Sequence, residues 1–83
     1  MEVDEALYLS IRRRALECAK KYRFAVPNKV ISGVLLDFPS LEDEKGELME
    51  EVRKVCTEIN KMKDTEIIAE LNENFSDETE VYE

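Results

Sequence analysis

The residues best suited to chemistry here are cations. Arg12-Arg13-Arg14 is followed by Lys20-Lys21, Arg23 and Lys29, so seven basic side chains fall within the first thirty positions. Such a cluster can hold phosphates or an acidic protein surface. General acid–base and nucleophilic chemistry have far less to work with. The chain has no His, which removes the commonest general base and metal ligand and with them the Ser-His and Cys-His nucleophiles. Its two glycines, Gly33 and Gly46, are isolated and cannot build a phosphate loop. Carboxylates are abundant, but they fall at helix-surface spacing. Asp43, Lys45 and Glu47 around Gly46 do not supply the alternating ligands of a calcium loop. No catalytic residue, metal ligand or cofactor site is expected.

Elements must position the cations. Leu7, Ile11, Ala15, Cys18 and Tyr22 recur at helical spacing and predict a first helix over 4–22, its core stripe facing inward. At about 100° per residue, Arg13 and Lys20 then point away from the core. Arg14 and Lys21 flank one edge of the stripe, and Arg12 and Arg23 the other. Arg13, Lys20, Arg23 and Lys29 are the candidate RNA or partner contacts. The band also suits an ordinary solvated helix face; no aromatics interleave with it to stack bases, so an RNA contact there is expected to be weak and through phosphates, without sequence readout.

Pro27 restricts Val26 to extended backbone and ends the first helix. The run VISGVLLDF (30–38) suits either a short helix or a buried strand. Helix is favoured because no second strand exists for it to pair with. Small Ser32 and Gly33 would let another backbone approach closely. The run is more apolar than one core face requires, which makes Val30, Val34, Leu35 and Phe38 candidate interface residues.

Phe38-Pro39-Ser40 is a second break, with Ser40 as N-cap of a third helix over 41–62. That helix carries the clearest stripe, Leu48, Val52, Val55, Ile59 and Met62. Asp64 or Thr65 caps a fourth, over 65–73, with Ile67, Ile68 and Leu71 inward. The expected architecture is all-α: a small bundle of three main helices plus a short fourth in a domain of residues 1–73, then a flexible acidic tail over 74–83.

Eighty-three residues support one domain with a thin core. The net charge of −8 opposes tight non-specific binding to nucleic acid or anionic membrane. Residues 1–30 hold seven basic and four acidic side chains, whereas residues 31–83 hold five and sixteen, so the front is basic and the rear acidic. Cys18 and Cys56 fall on apolar faces and are expected to be buried thiols. They could form a disulfide only if the first and third helices pack directly there. No apolar run approaches the length of a membrane span, and a cytoplasmic location is expected.

The runs IRRRALECAKKY (11–22), VISGVLLDFPSL (30–41) and EEVRKVCTEINKM (50–62) carry a resemblance. Arg14-Ala15-Leu16, Pro27, Val30, Val34, Pro39, Leu41 and Glu58-Ile59-Asn60 match in place and without gaps. Over residues 11–71 the chain resembles the N-terminal appended domain of archaeal-type glutamyl-tRNA synthetases. It departs where Arg23-Phe24-Ala25 replaces the family's small basic stretch and Ser32-Gly33 its Gly-Lys pair. The parent's catalytic signatures are missing, and Lys61-Met62-Lys63-Asp64 only echoes its nucleotide-binding loop. The resemblance implies a non-catalytic accessory domain that assists tRNA positioning through weak, salt-dependent contacts, or docks onto the synthetase body or another protein. The competing expectation is a stand-alone protein-interaction module with no RNA role.

Overall fold

The computed structural model describes residues 1–75. They form four α-helices, α1 (Glu5–Tyr22), α2 (Pro27–Asp37), α3 (Lys45–Ile59) and α4 (Asp64–Asn74), with a 3₁₀ turn over Pro39–Glu44. No strand occurs among the described residues.

Local chemistry explains most boundaries. The Asp4 carboxylate accepts from the Leu7 N–H at 2.9 Å and caps α1. At the other end Arg23 turns left-handed, φ 78°, and its N–H donates to the Ala19 carbonyl. Val26 is extended ahead of Pro27, and Pro27 opens α2 with φ already suited to a helix. Phe38 leaves helical geometry just before Pro39 for the same reason.

Four expected boundaries move. Ser40 does not cap α3. Residues 39–44 form the 3₁₀ turn instead, with the Leu41 N–H donating to the Phe38 carbonyl at 3.0 Å and both side chains packed on the core. α3 therefore starts at Lys45 and stops at Ile59, which leaves Met62 in a turn where it still touches the core. α4 starts one residue early, at Asp64. Lys63 takes the N-cap position, and its N–H is satisfied by the Glu66 carboxylate at 2.8 Å. Asn74 is helical rather than tail, and residues 76–83 of the expected tail lie outside the described residues.

Two contacts set the directions of the helices. The Met1 ammonium meets Glu47 at the start of α3, 2.9 Å away. At the far end of α1, Ala25 bonds Asn60 just past α3. So α1 and α3 run parallel. α4 returns antiparallel to α1, with Ile67 near Ala19 and Glu70 against Arg12.

α1 packs on each of the other three helices. Its Leu7, Ile11, Ala15, Leu16, Cys18 and Ala19 are buried with Val30, Ile31 and Val34 of α2, Leu48, Val52, Val55, Cys56 and Ile59 of α3, and Ile67 of α4. Two expected stripe residues stay out, since Tyr22 is 44% exposed and Ile68 is also exposed. Val30 and Val34 correct the interface expectation. They are among the most deeply buried side chains, because α2 must face both α1 and α3. Leu35 and Phe38 pack half-buried against the core. Within α2 the large apolar side chain left in solvent is Leu36, 77% exposed.

Gly33 also differs from expectation. The side chain of Arg14, not a backbone, crosses it, and a Cβ there would lie 2.8 Å from the Arg14 Cδ. A Cβ on Gly46 would meet nothing within 4 Å. Gly46→Ala should therefore stabilise the fold by up to about 1 kcal/mol through helix propensity alone, a rise of a few degrees in Tm. Gly33→Ala must displace Arg14 and should stabilise less. Thermal melts of the two variants check the ordering.

Candidate nucleic-acid interface

The three consecutive arginines divide between two jobs. Arg12 sends Nε and Nη2 to the two carboxylate oxygens of Glu70, the second at 2.9 Å, and so ties α1 to α4. Its Nη1 reaches the Tyr8 hydroxyl at 3.3 Å and Glu58 of α3 at 3.4 Å. Arg14 grips Asp37 at the end of α2 with Nη2 at 2.8 Å and Nε at 3.2 Å, and the Ser10 hydroxyl donates to the same carboxylate at 2.7 Å. These are inter-helix clamps. Arg13, between them, pairs with Glu17 one turn along at 3.2 Å.

The clamps move proton affinities in the expected direction. Hydrogen bonding to Arg12 holds the Glu70 carboxyl below its ordinary 4.5, and Arg14, aided by Ser10, holds Asp37 below 3.8. A carboxyl with a lowered folded pKa favours folding above its unfolded pKa. That contribution is lost as pH falls through the folded value. Stability should therefore decline from about pH 4.5 downward, and Glu70→Gln with Asp37→Asn should flatten the decline. At pH 7 Glu70→Gln should cost about 1–2 kcal/mol, because a half-buried guanidinium loses its charged partner. Urea titrations across pH measure both.

The remaining cations gather at one end of the bundle. Lys20 and Arg23 line a hollow of about 240 Å³ with Ala19, Asp64, Ile67 and Ile68. Beside it Lys29 sits over the Tyr22 ring, its Nζ 4.7 Å from the centroid, with the Lys21 Nζ at 5.5 Å. Asn60 joins the turn after α3 to this corner. Its Oδ1 accepts from the Ala25 N–H at 2.7 Å and its Nδ2 donates to the Ala25 carbonyl at 3.2 Å. That places exposed Lys61 and Lys63 on the same end. Among the described residues, no carboxylate lies in ion-pair contact with Lys20, Lys21, Arg23, Lys29, Lys61 or Lys63.

Three of the four candidate contacts, Lys20, Arg23 and Lys29, thus come together, while Arg13 stands about 10 Å up α1 from Lys20. Lys61 and Lys63 were missed because they lie far along the chain in a surrounding of acids, and only Asn60 brings them in. The expectation that no aromatics interleave with the cations is also corrected. Lys20-Lys21-Tyr22-Arg23-Phe24 alternates charge and ring, and both rings reach solvent, Phe24 being 55% exposed. The helical stripe had placed Tyr22 in the core, and that hid the pattern.

Acids gather at the other end. Glu47, Glu50 and Glu51 of α3 surround Met1, and the hydrogen bond its ammonium donates to the Glu47 carboxylate, with the fields of Glu47, Glu44 and Glu2, raises its pKa. The described residues are therefore polar from end to end.

The two thiols lie in the core where α1 and α3 pack, and both are free. Burial, with a smaller effect of Cys18, pushes the Cys56 thiol up to about 11. Only about one molecule in a thousand then carries a Cys56 thiolate at pH 8. Native protein should resist an aromatic disulfide reagent at that pH, whereas denatured protein should release two equivalents.

Among the described residues, no group of His, Cys, Asp or Glu is arranged to hold a metal ion, and no helix is long and apolar enough to cross a membrane. Compared with known protein families, curated proteins and solved structures, the chain matches none.

Proposed function

We propose that this chain is a non-catalytic accessory domain that holds the phosphate backbone of tRNA at its basic end, working beside glutamyl-tRNA synthetase in the cytoplasm. The observation that carries the RNA contact is the convergence of Lys20, Lys21, Arg23, Lys29, Lys61 and Lys63 from three chain segments, without carboxylate partners among the described residues. The resemblance over residues 11–71 supplies the kind of RNA and the enzyme.

A net charge of −8 would ordinarily oppose this reading. Distance decides the matter. α1 has 18 residues and spans about 27 Å. The Debye length at physiological salt is about 8 Å. A phosphate at the basic end therefore meets the local cations, and the acids at the far end are screened.

The test is a tRNA titration across salt with the 83-residue chain. About four phosphate contacts predict a slope near −3 in log K against log salt. Lys20→Glu with Arg23→Glu should weaken binding at least tenfold and flatten the slope, whereas Lys45→Glu at the opposite end should do neither. No binding at about 50 mM salt removes the RNA reading. The competing reading, a protein-interaction module, is favoured by a different surface. Leu36 stands exposed on α2, and Ile31, Leu35 and Met49 line an apolar groove between α2 and α3 beside Gly46. Polar substitution of Leu36 and Leu35 would abolish a partner's binding there and leave a tRNA titration unchanged.

A further inference from the structure

We propose that Phe24 is a stacking platform for an unpaired base, so that the basic end takes single-stranded RNA in preference to duplex. The proposal rests on the RNA reading above and adds which form of RNA the site accepts.

Phe24 is the exception among the chain's three phenylalanines. Phe38 and Phe75 pack against the core, and Phe24 is 55% exposed. The loop displaying it is held on every side. Arg23, before it, is fixed in the left-handed region, an uncommon conformation for a non-glycine residue. Ala25, after it, is buried and bonded through both N–H and carbonyl to Asn60. The Cys18 thiol donates to the Phe24 carbonyl at 3.8 Å, and the Val26 N–H donates back to that sulfur at 3.4 Å. Pro27 then stiffens the exit. The backbone is thus pinned while the ring is left in water.

The ring's surroundings identify the occupant. Arg23 directly precedes it, Lys20 and Lys21 lie in the last turn of the helix before it and Lys29 in the first turn of the helix after it, and Tyr22 holds the Lys21 and Lys29 ammoniums over its own ring. A bare ring among cations offers a base its π face and the adjoining phosphates their counter-charge, which is how sequence-tolerant single-strand sites are built. An apolar protein partner would gain from the ring but would have to bury those cations uncompensated. A-form duplex keeps its bases stacked inside and presents none to a side chain on its surface.

The test compares a single-stranded oligoadenylate with a blunt RNA duplex of equal phosphate number. The wild-type chain should bind the single strand more tightly. Phe24→Ala should weaken that binding about tenfold or more, leave the salt slope unchanged and leave the melting temperature unchanged, since the ring is outside the core. Phe24→Trp should restore binding, and its indole fluorescence should be quenched by the oligonucleotide; the natural chain has no Trp. If single strand and duplex bind equally, or if Phe24→Ala binds oligoadenylate as wild type does, stacking is overturned and the phosphate-contact reading stands. If neither RNA binds at low salt, both fall. Loss of a protein partner by Phe24→Ala, with RNA binding unchanged, also overturns the proposal.

Discussion

A single helix has to satisfy three others in this fold, and most of the structure follows from that. α1 buries Ile11 and Leu16 completely and uses Ala15 and Ala19 where neighbours come close. With three partners around it, its solvent-facing strip is narrow. Three consecutive residues on a helix sweep about 200°, so in Arg12-Arg13-Arg14 only the middle one can sit on the strip. The outer two fall on its borders, against α4 and α2. There their apolar stems pack and their guanidiniums meet Glu70 and Asp37. The arginine triplet is a consequence of how many helices α1 must hold.

Among the described residues, the core has no buried polar group and no fully buried aromatic. Polar chemistry is therefore confined to borders and ends, with cations predominant at one end, Asp64 among them, and acids predominant at the other. Parallel α1 and α3 bring the acids near their starts together and set Lys61 and Lys63, which follow α3, at the same end as the basic finish of α1. Asn60 makes that registry firm at the basic end, bonding both backbone groups of Ala25 across a separation of 35 residues. A chain whose average charge is strongly negative thereby carries a local surface of opposite character.

The helices that repeat apolar residues at 3.6-residue spacing were readable from the sequence. The stripes of α1 and α3 are buried as their spacing requires, apart from Tyr22 at the last position of α1 and Met62 past the end of α3. What misled was local capping logic. Ser40 has the right side chain for a cap, but Phe38 and Leu41 fold the segment into a 3₁₀ turn by packing. The apolar excess of residues 30–38 looked like an interface because a single strip of sequence does not reveal that α2 faces two helices. At the candidate site, Lys20, Arg23 and Lys29 were recognisable by type and local density. Their separation from Arg12 and Arg14 was not, since it depends on Glu70 and Asp37 arriving from other helices. Lys61 and Lys63 carried no signal of their own.

The end-to-end polarity bears on how fast, and not only how tightly, a charged partner is met. An extended polyanion approaching from any direction exerts a torque on a molecule whose opposite ends bear opposite charge. Such a field would turn the chain's basic end toward the incoming charge before contact is made. Encounters would then begin in a productive orientation, and the random rotational search that slows docking between uniformly charged bodies would be shortened. The acids around Met1 and Glu47, remote from any contact at the other end, would contribute to the rate of arrival by repelling the wrong face.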